Sequence, residues 1–297
     1  REANRPMVIV GEAKITGNAY LPERGIKMGN IRGYGYIRPQ LVYGNILRSK
    51  NQLPELQSEV EHRLKTMTSE GYVPNGQRIT LKREIELKNS FEKETIVVQG
   101  QYLDLDNVIL KGNIIVWATD KIHVGSTSQL RDVILVAPQI EIEDGTKGSF
   151  QAISSEQIAV GKRCVLYYPS LLAVQKRNLS NKSFNKTREP VIYVGNGTII
   201  SGSVLYLDEG EPKGQPPFIG VDKGAVVNGE VYCEQSLELK GNVYGSVATG
   251  SFIAFERGNT YLNHLFNGKI DAQLLPDEYC GLSYGSETVN GIMKWLY

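Results

Sequence analysis

The sequence predicts an all-β fold in which short parallel strands stack as a β-solenoid, and three observations support this prediction. Short apolar runs, many of them β-branched, recur along the chain at a nearly constant spacing. Glycine or asparagine bounds many of these runs, as expected where a chain turns sharply between strands. Between the recurring runs there is no ten-residue amphipathic pattern that would form the crossover helix of a βαβ unit.

The clearest repeat lies in the C-terminal third of the chain. Residues 227–231 have the form apolar-x-Gly-x-apolar, and this form recurs sixteen residues later at 243–247. The apolar pair Leu237 and Leu239 likewise recurs sixteen residues later as Ile253 and Phe255. Further copies of the five-residue form begin at Ile9, Ile15, Leu110 and Ile200.

In the middle of the chain the spacing widens to 18 or 19 residues. The apolar run 114–118 recurs at 133–137, and Ile122 recurs as Ile140 and then as Ile158. Because like residues recur at equivalent positions, we favour stacked parallel strands over an antiparallel β-sandwich, which stays the alternative fold. The stacking predicts one continuous apolar ladder through these three isoleucines.

The repeats divide the chain into three parts. Residues 1–90 are expected to hold strands and one helix, and residues 91–262 to form the solenoid. Two loop insertions, at 176–188 and 207–223, interrupt the repeat and are expected to project from it. The repeat is lost over 263–297, which predicts a C-terminal cap.

One helix is predicted at about 54–70. Apolar residues recur there at helical spacing, among them Leu56, Val60 and Leu64, with a proline in the first turn and Gly71 after the end. We expect this helix to pack against one end of the solenoid.

The first insertion is expected to be an exposed and dispensable loop. Residues 178–187 are rich in asparagine and lysine and contain three N-glycosylation sequons. Such a composition cannot bury enough apolar surface to offset the entropy lost on ordering. Limited proteolysis is therefore expected to cut here first.

Composition and charge exclude several classes of protein. The chain has 297 residues, of which 41% are hydrophobic, and its 33 basic and 32 acidic side chains leave a net charge of +1. It is too apolar for disorder and too neutral to attract nucleic acid or an anionic membrane as a whole. The first 50 residues are basic and contain Tyr34, Tyr36 and Tyr43, which we interpret as solvated strand faces rather than a nucleic-acid strip.

The cysteines and the known motifs predict no reaction centre. Cys164, Cys233 and Cys280 lie too far apart for a zinc motif and are expected to be buried free thiols. Residues 281–285 match the G-x-S-x-G nucleophile elbow, but no histidine follows its Ser283 in the chain, so we interpret the match as a turn.

Other ligand and cofactor signals are absent from the sequence. His62, His123 and His264 are isolated from other metal-ligating residue types, so no metal site is predicted. There is no P-loop and no G-x-G-x-x-G motif, so no nucleotide cofactor is predicted.

Paired acids are the strongest chemical candidates. By alternation, Asp104 and Asp106 share one strand face, as do Glu141 and Glu143. Carboxylates on neighbouring coils could act as general acid and general base toward a polysaccharide. Outward positions of exposed strands are ordinarily polar, however, so we interpret these acids as a solvated face. We therefore assign no catalytic, cofactor-binding or metal-binding residues.

Residues 227–255 resemble the bactofilins, polymer-forming bacterial proteins built as a small β-helix with G-x-V repeats of this kind. The resemblance implies a right-handed parallel β-helix whose ends stack into filaments. The chain is longer than those proteins and carries a helix and two insertions, which favours an exported or membrane-anchored envelope protein over a cytoplasmic one. Because the chain begins at Arg1 without an initiator methionine, we expect an upstream segment that provides any membrane contact.

The predicted function is that of a non-enzymatic scaffold or adhesion protein of the bacterial cell envelope. Its expected partners are further copies of itself, other envelope proteins or a polysaccharide, and not nucleic acid. The alternative is a polysaccharide lyase or hydrolase that uses carboxylates of one parallel sheet. A left-handed acyltransferase is a third hypothesis, since the hexapeptide 9–14 is followed in register by 15–20.

Overall fold

A computed structural model describes residues 5–50, 52–82, 84–176, 189–208, 217–275 and 279–285. The fold is all-β, and one α-helix, α1 (Ser58–Met67), and a short 3₁₀ helix at Ala272–Leu274 accompany the strands. The strands are β1 (Met7–Val10), β2 (Lys14–Thr16), β3 (Ala19–Leu21), β4 (Ile26–Met28), β5 (Asn30–Ile31), β6 (Tyr34–Gly35), β7 (Ile46–Arg48), β8 (Gln77–Thr80), β9 (Glu86–Asn89), β10 (Ile96–Leu105), β11 (Ile109–Gly112), β12 (Ile114–Val124), β13 (Gln129–Ile142), β14 (Lys147–Val160), β15 (Val165–Lys176), β16 (Ile192–Val194), β17 (Ile199–Asp208), β18 (Ile219–Val221), β19 (Val226–Leu239), β20 (Asn242–Glu256), β21 (Asn259–Leu262), β22 (His264–Phe266) and β23 (Lys269–Asp271).

The strands stack in parallel, and each turn of the chain lies in register on the next. β13 shows the pattern, because residues 133–137 and 139–142 pair in parallel with β12 and β14, while 129–131 pair with β11 and β14. Register shifts separate these three stretches. We call the positions equivalent to 133–137 side 1, those equivalent to 139–142 side 2, those equivalent to 129–131 side 3, and one turn through all three a rung.

Antiparallel pairing is rare in the described part of the chain. It is limited there to β5 with β6, β20 with β21, and a single bridge between Leu56 and Tyr284. The alternative of an antiparallel β-sandwich is therefore wrong.

The predicted isoleucine ladder is confirmed. Ile122 pairs with Ile140 and Ile140 with Ile158, and each is at most 1% exposed. The ladder forms because strand alternation turns these residues inward while their neighbours point to solvent. It continues along side 2 in both directions, through Leu103, Ile192, Ile219 and Leu237.

The sixteen-residue repeat is confirmed in its first half and wrong in its second. Residues 227–231 lie in register on 243–247. Leu237, however, pairs with Phe252 and not with Ile253, because the register shifts between Cys233 and Ser236. One extra residue in one strand is enough to displace every later position.

Small polar side chains close the corner between side 2 and side 3. Ser128 donates to the carbonyl of Gly125, and Thr146 donates to that of Glu143, each at 2.7 Å. Thr198 reaches the carbonyl of Gly161 in a neighbouring rung at the same distance. These bonds satisfy carbonyl groups that the turn removes from the strand ladder.

The first and the last described strands meet at the same end of the stack. β22 and β23 continue the stack where a terminal cap was expected, with β23 pairing to β20. The N-terminal strands then follow, since β1 pairs with β22 and β2 with β23. The last rung at this end holds β4 and β7, while β8 and β9 form the rung at the opposite end.

The helix lies on a flank of the stack, whereas the sequence predicts it at one end. Val60 and Leu64 of α1 are buried in one cluster with Ile134, Leu171 and Tyr232, which are outward residues of side 1 on several rungs. The outer surface of side 1 is apolar at these positions, so it takes the apolar stripe of the helix. Within the described residues, no helix is both long and apolar enough to span a membrane.

The insertions fall between side 1 and side 2 of successive rungs. β15 ends at Lys176 and β16 begins at Ile192, and residues 177–188, with the expected proteolysis site, lie outside the described residues. The second insertion is shorter than expected, because Leu207 and Asp208 end β17 and Ile219–Val221 form β18. Residues 209–216 also lie outside the described part.

Candidate functional site

The predicted acids of side 2 form a charged strip across three rungs. Asp104, His123 and Glu141 are in register on adjacent strands. Asp104 Oδ1 lies 2.9 Å from His123 Nδ1, and Lys121 donates to Glu141 at 2.5 Å. The structure thus brings together two predicted acids and one predicted histidine, and it adds Lys121, which the sequence analysis missed.

The geometry of this strip suits ion pairing better than acid–base catalysis. Asp104 and Glu141 are two rungs apart, about 9.6 Å along the stack, and each carboxylate is held by a base of a neighbouring rung. Their side chains are 55% and 50% exposed, so both carboxylates lie in contact with solvent and not in an apolar pocket. The hydrogen bond from Lys121 to Glu141 raises the pKa of the lysine.

Asp106 and Glu143 leave the face that alternation predicts for them. β10 ends at Leu105 and β13 at Ile142, so both acids lie in the following turns. Asp106 accepts a hydrogen bond from the Thr127 hydroxyl, and Glu143 accepts one from the backbone N–H of Ser126 at 2.7 Å. The latter bond lowers the pKa of Glu143. These two acids close turns.

Ser283 lies in an extended segment, residues 279–285, that we call the strap. The strap crosses the outer surface of side 1, and the Ser283 carbonyl accepts a hydrogen bond from the Gln57 N–H at 2.9 Å. A Cβ atom at Gly281 would lie 2.2 Å from the Glu230 carboxylate. The first glycine of this G-x-S-x-G match therefore permits close packing of the strap.

Glu230 is a buried carboxylate beneath the strap. It is 8% exposed and accepts hydrogen bonds from the Leu282 N–H at 2.5 Å and from the Ser246 hydroxyl at 3.1 Å. Burial raises its pKa, against the effect of these two bonds. The sequence does not predict that Glu230 is buried, because an acid at an outward repeat position is typical of a solvated face and the covering residues come about fifty positions later.

The histidines and cysteines are dispersed. His62 is exposed on α1, and His264 Nδ1 lies 2.7 Å from the Leu262 carbonyl. In the part of the chain that the structure describes, no three His, Cys, Asp or Glu side chains converge as metal ligands. Cys164 and Cys233 are buried free thiols as predicted, but Cys280 is exposed.

The predicted tyrosine-rich segment forms the last rung of the stack. Tyr36 donates to the Gln40 carbonyl at 2.5 Å, and Tyr43 lies under the Lys14 ammonium. Tyr34 is 63% exposed. The tyrosines therefore lie around one end of the stack and form no continuous strip along a side.

Both ends of the stack carry strands that pair on one side only, as far as the described residues go. β4 and β7 bound one end, and β8 and β9 bound the other. At the first end Met28, Ile37 and Ile46 are 60%, 71% and 56% exposed. At the second end Phe91 is exposed, and the inward side chain of Leu87 is only partly buried.

Comparisons of the chain with protein-family models, with curated proteins and with solved structures found no match.

Proposed function

We propose that the protein is a right-handed parallel β-helix that acts as a non-enzymatic scaffold or adhesion protein of the bacterial cell envelope and associates end to end. The exposed apolar rung at residues 26–48 carries this proposal. Right-handed winding is supported by the strong preference of parallel β-connections for that hand. The envelope location rests on the bactofilin resemblance of residues 227–255 together with the helix and the insertions.

The rung at 26–48 has the properties of an interface. Its edge strands present unpaired N–H and C=O groups, and a parallel strand from another molecule would satisfy them. The same contact would bury the apolar side chains of the rung and remove them from water. Soluble proteins ordinarily protect such an edge with charges, bulges or a covering segment. The edge strands here carry one exposed cation each, Lys27 in β4 and Arg48 in β7, among exposed apolar side chains.

The two ends of the stack differ in sequence, which favours head-to-tail assembly. On side 1 one end presents β7 and the other presents β8, and both strands run in the same direction as the rest of the stack. Placing β8 of one molecule on β7 of the next would extend the parallel stack without a break. A head-to-tail contact of this kind does not close on itself and yields linear chains.

The test is the oligomeric state of an end variant. We expect the purified protein to form linear oligomers that lengthen with concentration in light scattering and in negative-stain images. The double variant I37E/I46E should be monomeric, since two charges would be buried at the contact. The matched control is Tyr167→Glu, which changes an exposed aromatic residue of β15 away from both ends. A monomeric wild type, or unchanged oligomers in the double variant, would refute end-to-end association.

The alternative enzyme function depends on Asp104 and Glu141. The cross-rung hydrogen bonds that hold both carboxylates, and the half exposure of each carboxylate, weigh against it. Its test is the release of new reducing ends or unsaturated products from acidic and neutral polysaccharides. Turnover that is lost in Glu141→Gln would replace the scaffold proposal.

A further inference from the structure

A groove runs past Trp117 on side 1, beside the surface that α1 covers. A cavity of about 320 Å³ lies on one side of the indole, under residues 67–73, and its floor includes Val136 and Ile153. A second cavity of about 410 Å³ lies on the other side. Trp117 and Thr119 line both cavities, so the two are halves of one groove.

The groove runs along the stack and is straight. Its floor is a row of in-register side-1 positions, with Thr80 paired to Gln99, Gln99 to Trp117, Trp117 to Val136 and Val136 to Ile153. Five rungs separated by about 4.8 Å give the floor a length of about 19 Å. Residues 67–73 lie over its last two positions, Val136 and Ile153, which are 4% and 2% exposed. A groove of this shape suits an extended chain better than a compact small molecule.

The side chains of the groove combine one aromatic surface with uncharged hydrogen-bonding groups. Trp117 is partly exposed, and the amides of Gln99 and Gln101 and the hydroxyl of Thr119 lie beside it. None of these three polar side chains hydrogen-bonds to another described residue. Each amide offers two donors and one acceptor oxygen, which a ligand rich in hydroxyl groups can satisfy together.

The charge of the groove favours a neutral ligand. Arg78 lies at one end and Glu70 at the other, and the lining residues between them are uncharged. An anionic chain would meet only one cation and would face an acid at the far end. The electrostatics of the groove therefore complement an uncharged chain.

A peptide fits the groove less well than a sugar chain. The backbone groups of the floor strands β10, β12 and β13 are already used by the parallel ladder, so a peptide could not add as a strand between them. Recognition of a polyproline helix needs a groove lined by several aromatic residues, and the two cavities here contribute only Trp117 and Tyr72.

We propose that this groove binds a linear chain of uncharged pyranose sugars. The indole of Trp117 packs against the apolar face of one pyranose ring, and Gln99, Gln101 and Thr119 hydrogen-bond to hydroxyl groups of neighbouring units. The site lies on a side of the stack. Binding therefore does not depend on end-to-end association, and either can fail without the other.

Binding is measured by the fluorescence emission of Trp117. The chain has two tryptophans, so the variant Trp295→Phe leaves Trp117 as the single indole. Cellotetraose, xylotetraose and chitotetraose are titrated against its emission, and mobility is measured in native gels that contain hydroxyethylcellulose or xylan. We expect at least one of these glycans to shift the emission and to retard the protein.

Three variants separate a binding role from a folding role, with circular dichroism as the check on folding. Trp117→Ala should weaken binding by at least tenfold, whereas Trp117→Phe should keep most of it because a flat ring remains. Gln101→Ala, at an exposed position, should weaken binding several-fold without a change in stability. The control Tyr20→Ala removes an exposed aromatic at the far end of the stack and should bind as wild type.

The opposite outcomes are equally clear. Absence of binding to every glycan, unchanged binding in Trp117→Ala, or an equal loss in Tyr20→Ala would overturn the proposal. Binding of a proline-rich peptide in place of all the glycans would overturn it as well.

Discussion

Side 1 and side 2 share the same buried interior, but their outer surfaces differ completely. On side 1 many outward residues are apolar, as at Ile134 and Leu205, and α1 and the strap cover them together with the buried Glu230. On side 2 the outward residues are charged, as at Lys121 and Glu141, and they remain in contact with solvent. The inward ladder fixes the stack, whereas the outward residues decide which side takes a covering layer.

The largest effect should come from the interior that both sides share. Replacing Ile140 by alanine removes a fully buried side chain between two stacked neighbours and should cost about 2–5 kcal/mol of unfolding free energy. Denaturant unfolding measures the loss. The control is Glu141→Ala, the next and outward residue, which should change stability by less than about 1 kcal/mol. Similar losses for both variants would contradict the inward and outward assignment.

The cover of side 1 should contribute less than its interior. Leu64→Ala shortens a buried side chain through which α1 packs on side 1. It should cost about 2 kcal/mol of unfolding free energy, because the contact between α1 and side 1 lies near solvent. It should also speed proteolytic cleavage within 52–76 while the strands stay resistant. His62→Ala, on the exposed face of the helix, is the control. Uniform cleavage along the whole chain would show that the cover and the stack unfold as one unit.

The strap should respond to pH through Glu230. Its pKa is raised in the folded state, so the folded protein binds the proton more tightly than the unfolded chain does. The related stability is present below the ordinary glutamate pKa of 4.5 and is lost as pH rises through the higher, folded value. Tyr279 and Tyr284, which face Glu230 from the strap, have raised pKa values and stay neutral over this range.

Melting curves of Glu230→Gln test this dependence. The variant keeps acceptor and donor groups under the strap but does not ionise, so its melting temperature should fall less than that of the wild type as pH rises above 4.5. Glu238→Gln, another acid of β19, is the control and should follow the wild type. Parallel curves for wild type and Glu230→Gln would be inconsistent with a buried ionisable group.

The smallest effect should come from side 2. Lys121→Ala breaks the ion pair with Glu141 between two partly exposed side chains, and it should cost less than about 1 kcal/mol. The difference from wild type should vanish at high salt, because exposed charges are screened. A loss that persists in high salt would mean that side 2 is covered in solution.

The sequence predicts the interior far better than the arrangement of the parts around it. Ile122, Ile140 and Ile158 recur at a fixed spacing and stack in register, even though the pairings of β12 with β13 and of β13 with β14 also shift between side 1 and side 2. The match between Leu237 and Ile253 fails because a shift between Cys233 and Ser236 leaves no trace in the apolar pattern. Spacing alone therefore identifies a ladder but cannot locate the bulges that interrupt it.

The helical spacing of apolar residues predicts α1 but does not predict where the helix packs. Its apolar stripe shows that it packs against something, and the continuous apolar run at 133–137 shows that side 1 needs a cover. Taken together, these two signals indicate that the helix covers side 1 on the flank of the stack. The strap and Glu230 had no such signal, because their contact joins residues far apart in the chain.

The charged strip was predicted only as a set of outward acids. Alternation places Asp104 and Glu141 on the outer face, but the pairing with His123 and Lys121 follows from which strands are neighbours. Trp117 likewise occupies an ordinary outward position. Only the stacking of five rungs turns it into the middle of a groove.

The position of the N-terminal rungs governs the order in which the protein can fold. The backbone of Glu12 is hydrogen-bonded to the Asn267 side chain, 255 residues away, and β1 has β22 as a neighbour in the stack. During synthesis, residues 7–48 therefore leave the ribosome long before the rung on which they stack exists. Contacts this distant slow folding and prolong the exposure of apolar strands. Strands made early are in this way the last to find their place.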